Sequence, residues 1–448
     1  MEAIFKYVLA QFYNIYSPQQ SFEIHYGLNN QSRIQITQTK FTFFEQTAPF
    51  PETPPTFYTW KNQKIPFWFG APEVKEIITY VGDQAVIKAD IIANAFYFLS
   101  GWQEYYSTQR DNFGRFPYAE SLQSKYDFIT IPVVNYYFDI LKTAIEQVYG
   151  LKLISILAHE APFTTCLTHD IDNCQTAWRV EGIQALKQGK WSRFSKLLKQ
   201  KISGQDNWCN VPEVIQEVQK YNVTSTFFFL ANNRKYKGIA NADYDISQSR
   251  YHAWLPLLKQ KKFEVGIHGS HITSFTKNKL QTEVKKLKLP VHGNRFHYLR
   301  FEPQITPQLL EEAGMNYDTT LGFSEHFGFR HGTCFPFQLF NFKKREAFRF
   351  FEVPLHLMDA TLHHPKYLQL SASEILPAIT PMLQEIKKFG GCFTWLWHNE
   401  NFSIHNLTNG PLAFHQIMEY LQEQGSGFKT ISAVVNLLEH PSGQVFSK

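Results

Sequence analysis

The chain is poor in cysteine, and the few cysteines that it has are widely scattered. Its 448 residues include only five, and no two of them form a C-x-x-C pair. They are Cys166, Cys174, Cys209, Cys334 and Cys392. An odd number of unclustered cysteines argues against a disulfide framework and against a zinc site built from thiolates. We therefore expect neither.

Long apolar runs are also missing. No stretch approaches the roughly 18 consecutive apolar residues that a membrane-spanning helix needs. The first residues, Met1–Lys6, lack the basic start and the long apolar segment that are typical of a signal peptide. We therefore expect a cytoplasmic protein without a membrane span.

Charge of one sign is not concentrated in any dense block. The chain has 44 Lys and Arg residues against 39 Asp and Glu residues, and the resulting net charge of +5 is small for this length. The most basic stretch, Lys187–Lys201, has apolar residues between its lysines, which is typical of an amphipathic helix with one solvated face. Since no nucleic-acid-binding motif is present, nucleic acid is not an expected partner.

The length of the chain predicts two domains, because single cores rarely grow beyond roughly 250–300 residues. A hydrophobic content of 44% and a charged content of 19% suit a soluble globular enzyme. Residues 1–155 are predicted to form a smaller α+β domain, with helices over Asp90–Tyr106 and Asn135–Tyr149. In residues 160–445 the pattern changes, and short apolar runs alternate with amphipathic helices.

Seven short apolar runs in the second domain are predicted strands. They lie at Phe163–Thr168, Thr224–Leu230, Phe263–Ile267, Phe296–Phe301, Tyr317–Leu321, Phe350–Leu355 and Gly391–Trp397. Helical patterns lie between them, including one that is introduced by a capping box at Ser371 and Glu374. Strands that are separated by helices pair in parallel, and seven such units most simply form a barrel.

The segment Thr168–Asp172 places two aspartates two positions apart at the end of the first predicted strand. In a strand, Asp170 and Asp172 would point to the same side. Crowded carboxylates repel each other unless a cation or a shared proton lies between them. This pattern indicates a metal site with an adjacent general base. The alternative is a turn in which Asp172 and Asn173 cap the following helix.

Other polar residues follow other predicted strands. His268 comes after the third strand, Arg300 ends the fourth, and His398 ends the seventh. In a parallel βα barrel the carboxyl ends of all strands open onto one face, where such enzymes carry their catalytic residues. The convergence of these side chains with Asp170 and Asp172 favours the metal site over the helix cap.

Several segments, taken in their order along the chain, resemble those of one enzyme family. They are Leu167–Asp172, Gly266–Ser270, Gly293–Arg300, Tyr317–Phe323, Gly328–Thr333 and Leu396–Asn399. On these segments, residues 160 to about 440 are similar to the polysaccharide deacetylase (NodB homology, carbohydrate esterase 4-like) family, in a branch whose N-terminal domain has no known role. The resemblance implies a distorted (β/α)7 barrel and a hydrolase that acts on carbon–nitrogen bonds other than peptide bonds.

The resemblance also implies a set of metal ligands. It makes Asp170 the catalytic base and Asp172 and His268 two of the ligands. The family usually places a second histidine four residues after the first, but position 272 of this chain is Ile. The neighbouring His271 is therefore the expected third ligand. The expected cofactor is a divalent metal, zinc in the first place, with cobalt or nickel as alternatives.

Two catalytic partners follow from the same resemblance. Arg300 would brace Asp170 through a bidentate ion pair, for which a planar guanidinium is well suited. The alternative for Arg300 is a surface ion pair with Glu302 or Glu311. His398 would act as the general acid that protonates the departing amine.

The implied reaction is the metal-assisted removal of an N-acetyl group from a sugar or glycan precursor. Tyr298 and Trp397 are the aromatic side chains that we expect to line the sugar cleft. Two other functions stay open. One is a carbohydrate-binding protein that kept the barrel and lost hydrolysis, as the missing histidine at position 272 suggests. The other is a hydrolase of a different amide at the same metal centre.

Overall fold

The N-terminal part of the chain folds around a small mixed sheet. The computed structural model describes residues 1–18, 20–27, 32–40, 42–73, 75–403 and 410–440. Within residues 1–150 the strands are β1 (Ile24–Tyr26), β2 (Ile34–Ile36), β3 (Thr56–Trp60), β4 (Gln63–Phe67), β5 (Ile78–Val81) and β6 (Gln84–Ile87). The sheet has the order β1-β2-β6-β5, in which β5 is antiparallel to β6, and β3 and β4 form a separate hairpin.

The helices of this part are α1 (Glu2–Tyr16), α2 (Ile91–Leu99), α3 (Trp102–Tyr106), α4 (Leu122–Lys125) and α5 (Val133–Tyr149). The single helix predicted over Asp90–Tyr106 is therefore two helices. The backbone of Gly101 adopts a left-handed conformation with φ of 67°, which separates α3 from α2. The side chain of Asp90 caps α2 by accepting a hydrogen bond of 2.9 Å from the backbone N–H of Ala93.

The second part of the chain is built on a curled parallel sheet. Its strands are β7 (Thr164–Ile171), β8 (Thr226–Leu230), β9 (Glu264–Gly269), β10 (Gly293–Phe296), β11 (Tyr317–Asp318), β12 (Phe340–Asn341), β13 (Glu346–Ala347), β14 (Phe351–Glu352), β15 (Leu357–Met358), β16 (Cys392–Leu396) and β17 (Gly427–Phe428). The order is β14-β11-β10-β9-β8-β7-β16-β15, all parallel, with β17 also paired to β7. β12 and β13 form an antiparallel pair outside this sheet.

Helices lie between most of these strands. They are α6 (Ala177–Lys187), α7 (Trp191–Ile202), α8 (Val211–Gln219), α9 (Ser249–His252), α10 (Trp254–Gln260), α11 (Lys279–Lys286), α12 (Thr306–Glu312), α13 (Asp359–His363), α14 (Ala372–Phe389), α15 (Gly410–Glu423) and α16 (Ile431–Glu439). The predicted capping box at Ser371 and Glu374 is present at the start of α14. In the described part of the chain, no helix combines the length and the apolar character that a membrane crossing requires.

The predicted (β/α) barrel is confirmed, with two strands more and one boundary shifted. The nine-stranded sheet contains a counterpart of each of the seven predicted strands and adds the two-residue strands β15 and β17. The strand predicted at Phe296–Phe301 is wrong in its position, since β10 already ends at Phe296. Tyr298 and Leu299 have positive φ values of 62° and 54°, which a strand cannot accommodate. Arg300 consequently lies outside the sheet.

β7 lies in the interior of the sheet and is buried along its whole length. It carries polar side chains into this interior, including His169 at 0% and Asp170 at 1% exposure. A buried charge is tolerated only when neighbouring groups pair with it. The burial of β7 therefore requires partners for Asp170 from other strands of the sheet.

The N-terminal part and the barrel share one hydrophobic core. A single cluster of buried apolar side chains extends from Ile4 to Leu438. A buried ion pair also joins the two parts, since the guanidinium of Arg330 donates to both carboxylate oxygens of Glu104 at 2.7 and 2.5 Å. Burial alone would raise the pKa of Glu104, but Arg330 outweighs it and lowers that pKa. The division of the chain near residues 155–160 stays a prediction.

Replacing Arg330 with Met should destabilise the whole protein, because Glu104 would keep a buried charge without its partner. We expect the free energy of unfolding to fall by about 3–5 kcal/mol, measured by urea denaturation. The double variant Glu104→Leu, Arg330→Met should recover part of that loss, since it leaves no unpaired charge. Lys6→Met, which removes an exposed ion pair with Glu2, is the control and should have almost no effect. A loss for Arg330→Met as small as that of the control would contradict this account.

Candidate metal centre and active site

Three buried side chains converge at the carboxyl end of the sheet. Ligand atoms of Asp172, His268 and His297 all lie within 4.8 Å of one another. Asp172 follows the last residue of β7, His268 lies in β9, and His297 is the first residue after β10. Because β7, β8, β9 and β10 are neighbours in one parallel sheet, their carboxyl ends bring these residues together.

Both imidazoles present the same nitrogen to Asp172. Nδ1 of His268 lies 2.8 Å from the backbone carbonyl oxygen of Arg295, and its Nε2 lies 3.3 Å from Oδ1 of Asp172. Nδ1 of His297 lies 3.4 Å from Oδ1 of Asn241, and its Nε2 lies 3.5 Å from Oδ2 of Asp172. An imidazole that donates through Nδ1 leaves Nε2 free to bind a metal.

The environment of Asp172 fits a cation. Its Oδ1 is buried and accepts no hydrogen bond within the described residues. Burial alone would raise the pKa of Asp172, but the surrounding imidazoles, that of His297 first among them, hold it well below its usual range. Burial also lowers the pKa of His268, which favours the neutral form that binds metals. One carboxylate and two imidazoles are a donor set that catalytic zinc sites use.

Asp170 is held by an arginine, but not by the predicted one. Nη1 of Arg295, a fully buried residue of β10, donates to Oδ1 of Asp170 at 2.9 Å and to Oγ1 of Thr168 at 2.8 Å. The expectation that Arg300 braces Asp170 is wrong. Since β10 ends before Arg300, this side chain turns away and donates to the backbone carbonyl oxygen of Phe113 at 3.0 Å.

His271 does not join the metal-binding group. Its Nε2 lies 3.2 Å from the carbonyl oxygen of Phe113 and 3.3 Å from Nη1 of Arg300. Burial and the adjacent Arg300 lower the pKa of His271 to about 4. The position expected for His271 is taken by His297. The sequence contains a signal for this, since His297 lies inside the Gly293–Arg300 segment that resembles the deacetylase family.

His398 and Asp359 form the third part of the site. Nδ1 of His398 lies 2.7 Å from Oδ1 of Asp359, and its Nε2 lies 3.7 Å from Oδ2 of Asp172. Burial works to lower the pKa of His398, but Asp359 and the two aspartates of the site outweigh it and raise this pKa to about 10. Sequence reasoning missed Asp359, because the short strand β15 that precedes it was not predicted.

A loop of the N-terminal part reaches into this site. The ring of Phe113 stacks on Tyr298, with centroids 4.6 Å apart and an interplanar angle of 18°. Nη1 of Arg115 donates to the backbone carbonyl oxygen of Tyr298 at 3.2 Å. Gly114, between them, has φ of 78°, and a Cβ atom there would overlap the guanidinium of Arg300. The left-handed backbone at this position favours glycine, because an L side chain with a Cβ atom rarely adopts such a φ.

The candidate site contains one cavity of about 320 Å³. Asp170, Asp172, His268 and His398 line it, and so does Tyr298, as predicted. Further lining residues are Phe113, Arg115, His297, Leu299, Met358, His364, Lys366 and Tyr367. The prediction for Trp397 is not met, because this side chain is 0% exposed and its ring lies in the core, 6.0 Å from that of Phe414.

Known proteins resemble parts of this chain. Residues 1–150 match a family of unknown function (DUF7033), and no curated protein matches. A protein assigned as a polysaccharide deacetylase from Mycobacterium smegmatis is 14% identical, with a TM-score of 0.43 over 65% of this chain and 96% of its own. The allantoinase PuuE is 11% identical, with a TM-score of 0.41 over 64% and 93% of the two chains. Similarities at this level concern the fold alone.

Proposed function

We propose that this protein is a metal-dependent hydrolase that removes an N-acetyl group from a sugar or glycan precursor. The observation that carries the proposal is the buried group Asp172, His268 and His297, which shares one cavity with Asp170 and His398. Such an arrangement of metal ligands, a carboxylate base and an imidazole acid is what amide hydrolysis needs.

Asp172, His268 and His297 would hold the metal, and their donor set favours zinc, with cobalt or nickel as substitutes. A bound divalent ion would supply a polarised acetyl carbonyl and a water molecule of lowered pKa. The hydrogen bonds at Nδ1 of both histidines fix the ring orientation that this binding requires.

Asp170 is the proposed general base. Its Oδ1 is occupied by Arg295, whereas its Oδ2 faces the site, 3.6 Å from Nε2 of His268. The free oxygen is therefore placed to accept a proton from a water molecule that attacks the acetyl carbonyl. Arg295 acts as a positioning residue, since it touches the base and not the cavity.

His398 is the proposed general acid. Asp359 raises the pKa of His398, which favours the protonated imidazole, and Nε2 of the ring lies towards the proposed metal ligands, 3.7 Å from Oδ2 of Asp172. Asp359 holds the other nitrogen, which keeps the ring in this orientation. The proton would pass to the amine nitrogen as its bond to the acetyl carbon breaks.

The cavity walls suit a sugar ring. Tyr298 and Phe113 form a stacked aromatic surface beside the proposed metal ligands. Arg115 and Lys366 place cationic groups at the same cavity. A volume of about 320 Å³ lies at the small end of ligand-binding cavities, which favours a short precursor or a chain end as the substrate.

The proposal is tested by acetate release and metal content measured together. With zinc, cobalt or nickel, the purified protein is expected to release acetate from an N-acetylhexosamine derivative, and a chelator should stop the reaction. His297→Ala should lose the bound metal and the activity, because one of three ligands is removed. Metal content is measured by elemental analysis of the dialysed protein.

His271→Ala is the matched control, since it removes a nearby histidine that lies outside the group. This variant should keep its metal. Metal loss in His271→Ala and not in His297→Ala would overturn the ligand assignment. A stoichiometric metal without acetate release from any derivative tested would overturn the deacetylase proposal and leave the carbohydrate-binding alternative.

Asp359→Asn should lower the pKa of His398, because burial remains while the carboxylate that does most to favour the charged ring is gone. In the metal-free protein we expect this pKa to fall below about 10, with Asp172 and Asp170 still favouring the charged ring. The titration of the ring by NMR measures it. Since the acid form would then disappear at a lower pH, the alkaline limb of kcat should shift downwards. An unchanged titration would contradict the assignment, and Asp83→Asn, at an exposed carboxylate, is the control.

Arg295→Lys should reduce kcat by roughly 10- to 100-fold and change KM little, because a lysine keeps the charge but has one nitrogen, whereas the guanidinium holds Asp170 and Thr168 through Nη1 and the carbonyl oxygen of Thr319 through Nε. Arg300→Lys is the matched control. Its contacts are to the Phe113 loop, so it should act mainly on KM. Steady-state kinetics on both variants measure these effects, and thermal melts check that both fold. A change mainly in KM for Arg295→Lys and mainly in kcat for Arg300→Lys would disprove the positioning role.

A further inference from the structure

The helices α6 and α7 form a hairpin with an unusually apolar surface. Five of the eleven large apolar side chains that are exposed in the described part of the chain belong to it. They are Val180, Ile183, Trp191, Leu198 and Ile202. Trp191 is 68% and Ile202 79% exposed, values that a side chain of the core would not have. Clustered exposed apolar groups of this kind mark an interaction surface.

The same hairpin is strongly basic. Between residues 177 and 203 the chain has seven basic residues and one acidic residue. The basic residues are Arg179, Lys187, Lys190, Arg193, Lys196, Lys199 and Lys201. The acidic residue, Glu181, is 1% exposed and accepts hydrogen bonds from Trp208 and Ser403 inside the protein. The charge that the hairpin presents to its surroundings is therefore positive.

The exposed apolar residues of α7 lie along one line of the helix. Trp191, Leu198 and Ile202 are separated by seven and four residues, which places them on one side at 3.6 residues per turn. A different side faces the protein, where Leu197 is buried and the ring of Phe194 lies against Gly182 of α6. The apolar line is thus not the packing face of the helix.

The hairpin also has a defined place in the fold. It is inserted between β7 and α8, and α6 begins five residues after Asp172. It therefore leaves the sheet at the carboxyl end of β7, the end at which the proposed metal ligands lie.

We propose that the α6–α7 hairpin docks this protein on an anionic membrane surface. Trp191, Leu198 and Ile202 would enter the boundary between headgroups and acyl chains, and the lysines beside them would contact the anionic headgroups. An amphipathic helix with Lys and Arg on its polar face and Trp and Leu on its apolar face binds membranes in this way. The proposal goes beyond the proposed function and does not depend on it.

Two other occupants fit the surface less well. Nucleic acid would match the positive charge, but its phosphate backbone offers no apolar contact for Trp191 and Ile202. A second copy of the chain would match the apolar line, but two hairpins of equal positive charge repel each other. An anionic lipid surface satisfies both properties at once.

The test is sedimentation of the full chain with lipid vesicles, in the absence of metal and sugar. The protein should bind vesicles of phosphatidylcholine with phosphatidylglycerol, bind phosphatidylcholine alone at least about tenfold more weakly, and dissociate from the former as salt is added. Two double variants should each weaken binding about tenfold or more. One combines Trp191→Gln with Ile202→Gln, and the other combines Lys196→Gln with Lys199→Gln.

Matched controls come from other exposed positions. One control is Val81→Gln, at a side chain that is also 68% exposed. The other is the double variant of Lys259→Gln with Lys285→Gln. Both should bind anionic vesicles as the unchanged protein does. The proposal is overturned if the protein ignores anionic vesicles, or if hairpin and control variants behave alike. It is equally overturned if vesicle binding is absent and the protein instead binds a duplex RNA in a way that the hairpin variants abolish. The same holds if vesicle binding is absent and ultracentrifugation shows a dimer that the hairpin variants abolish.

Discussion

One buried cation, Arg295, connects the parts of the candidate site. Its guanidinium has no solvent exposure and donates to Asp170 and Thr168 of β7 and to the backbone carbonyl oxygen of Thr319. Its own carbonyl oxygen lies 2.8 Å from Nδ1 of His268. A single residue therefore orients the proposed base through its side chain and a proposed metal ligand through its main chain. A guanidinium suits this position because its rigid fork of donors serves several strands at once.

In the site as a whole, buried groups of opposite charge lie next to one another. Positive groups at Arg295 and His398 are placed against the carboxylates of Asp170, Asp172 and Asp359. Each of these charges would be costly in the interior without its neighbours, so the loss of one partner affects more than one pair. The buried Asp170 of β7 is stable because Arg295 of β10, on the same curled sheet, provides the opposite charge. The same arrangement leaves one carboxylate oxygen of Asp172 for a cation.

The sequence predicts the barrel well and the site in part. Apolar runs flanked by helical patterns were sufficient to locate β7, β9 and β16, and with them Asp172, His268 and His398. The fourth strand was misplaced because the left-handed backbone of Tyr298 and Leu299 leaves no mark in the pattern of apolar residues. That boundary and the family resemblance together favoured Arg300 over Arg295 and His297, which lie just before it. Contacts between distant segments, such as those made by the Phe113 loop, are set by tertiary packing and cannot be read from local periodicity.

Because of the Phe113 loop, the shape of the cavity and the proposed chemistry depend on different parts of the chain. The proposed metal ligands and the acid–base residues belong to the sheet and its edges, whereas one wall of the cavity comes from residues 113–115, a segment that precedes β7 in the N-terminal part of the chain. Phe113 and Arg115 therefore contribute to the shape and charge of the cavity, although neither is one of the proposed metal ligands or acid–base residues. Descendants of this chain can therefore diverge in the shape and charge of the cavity while the proposed catalytic groups stay the same.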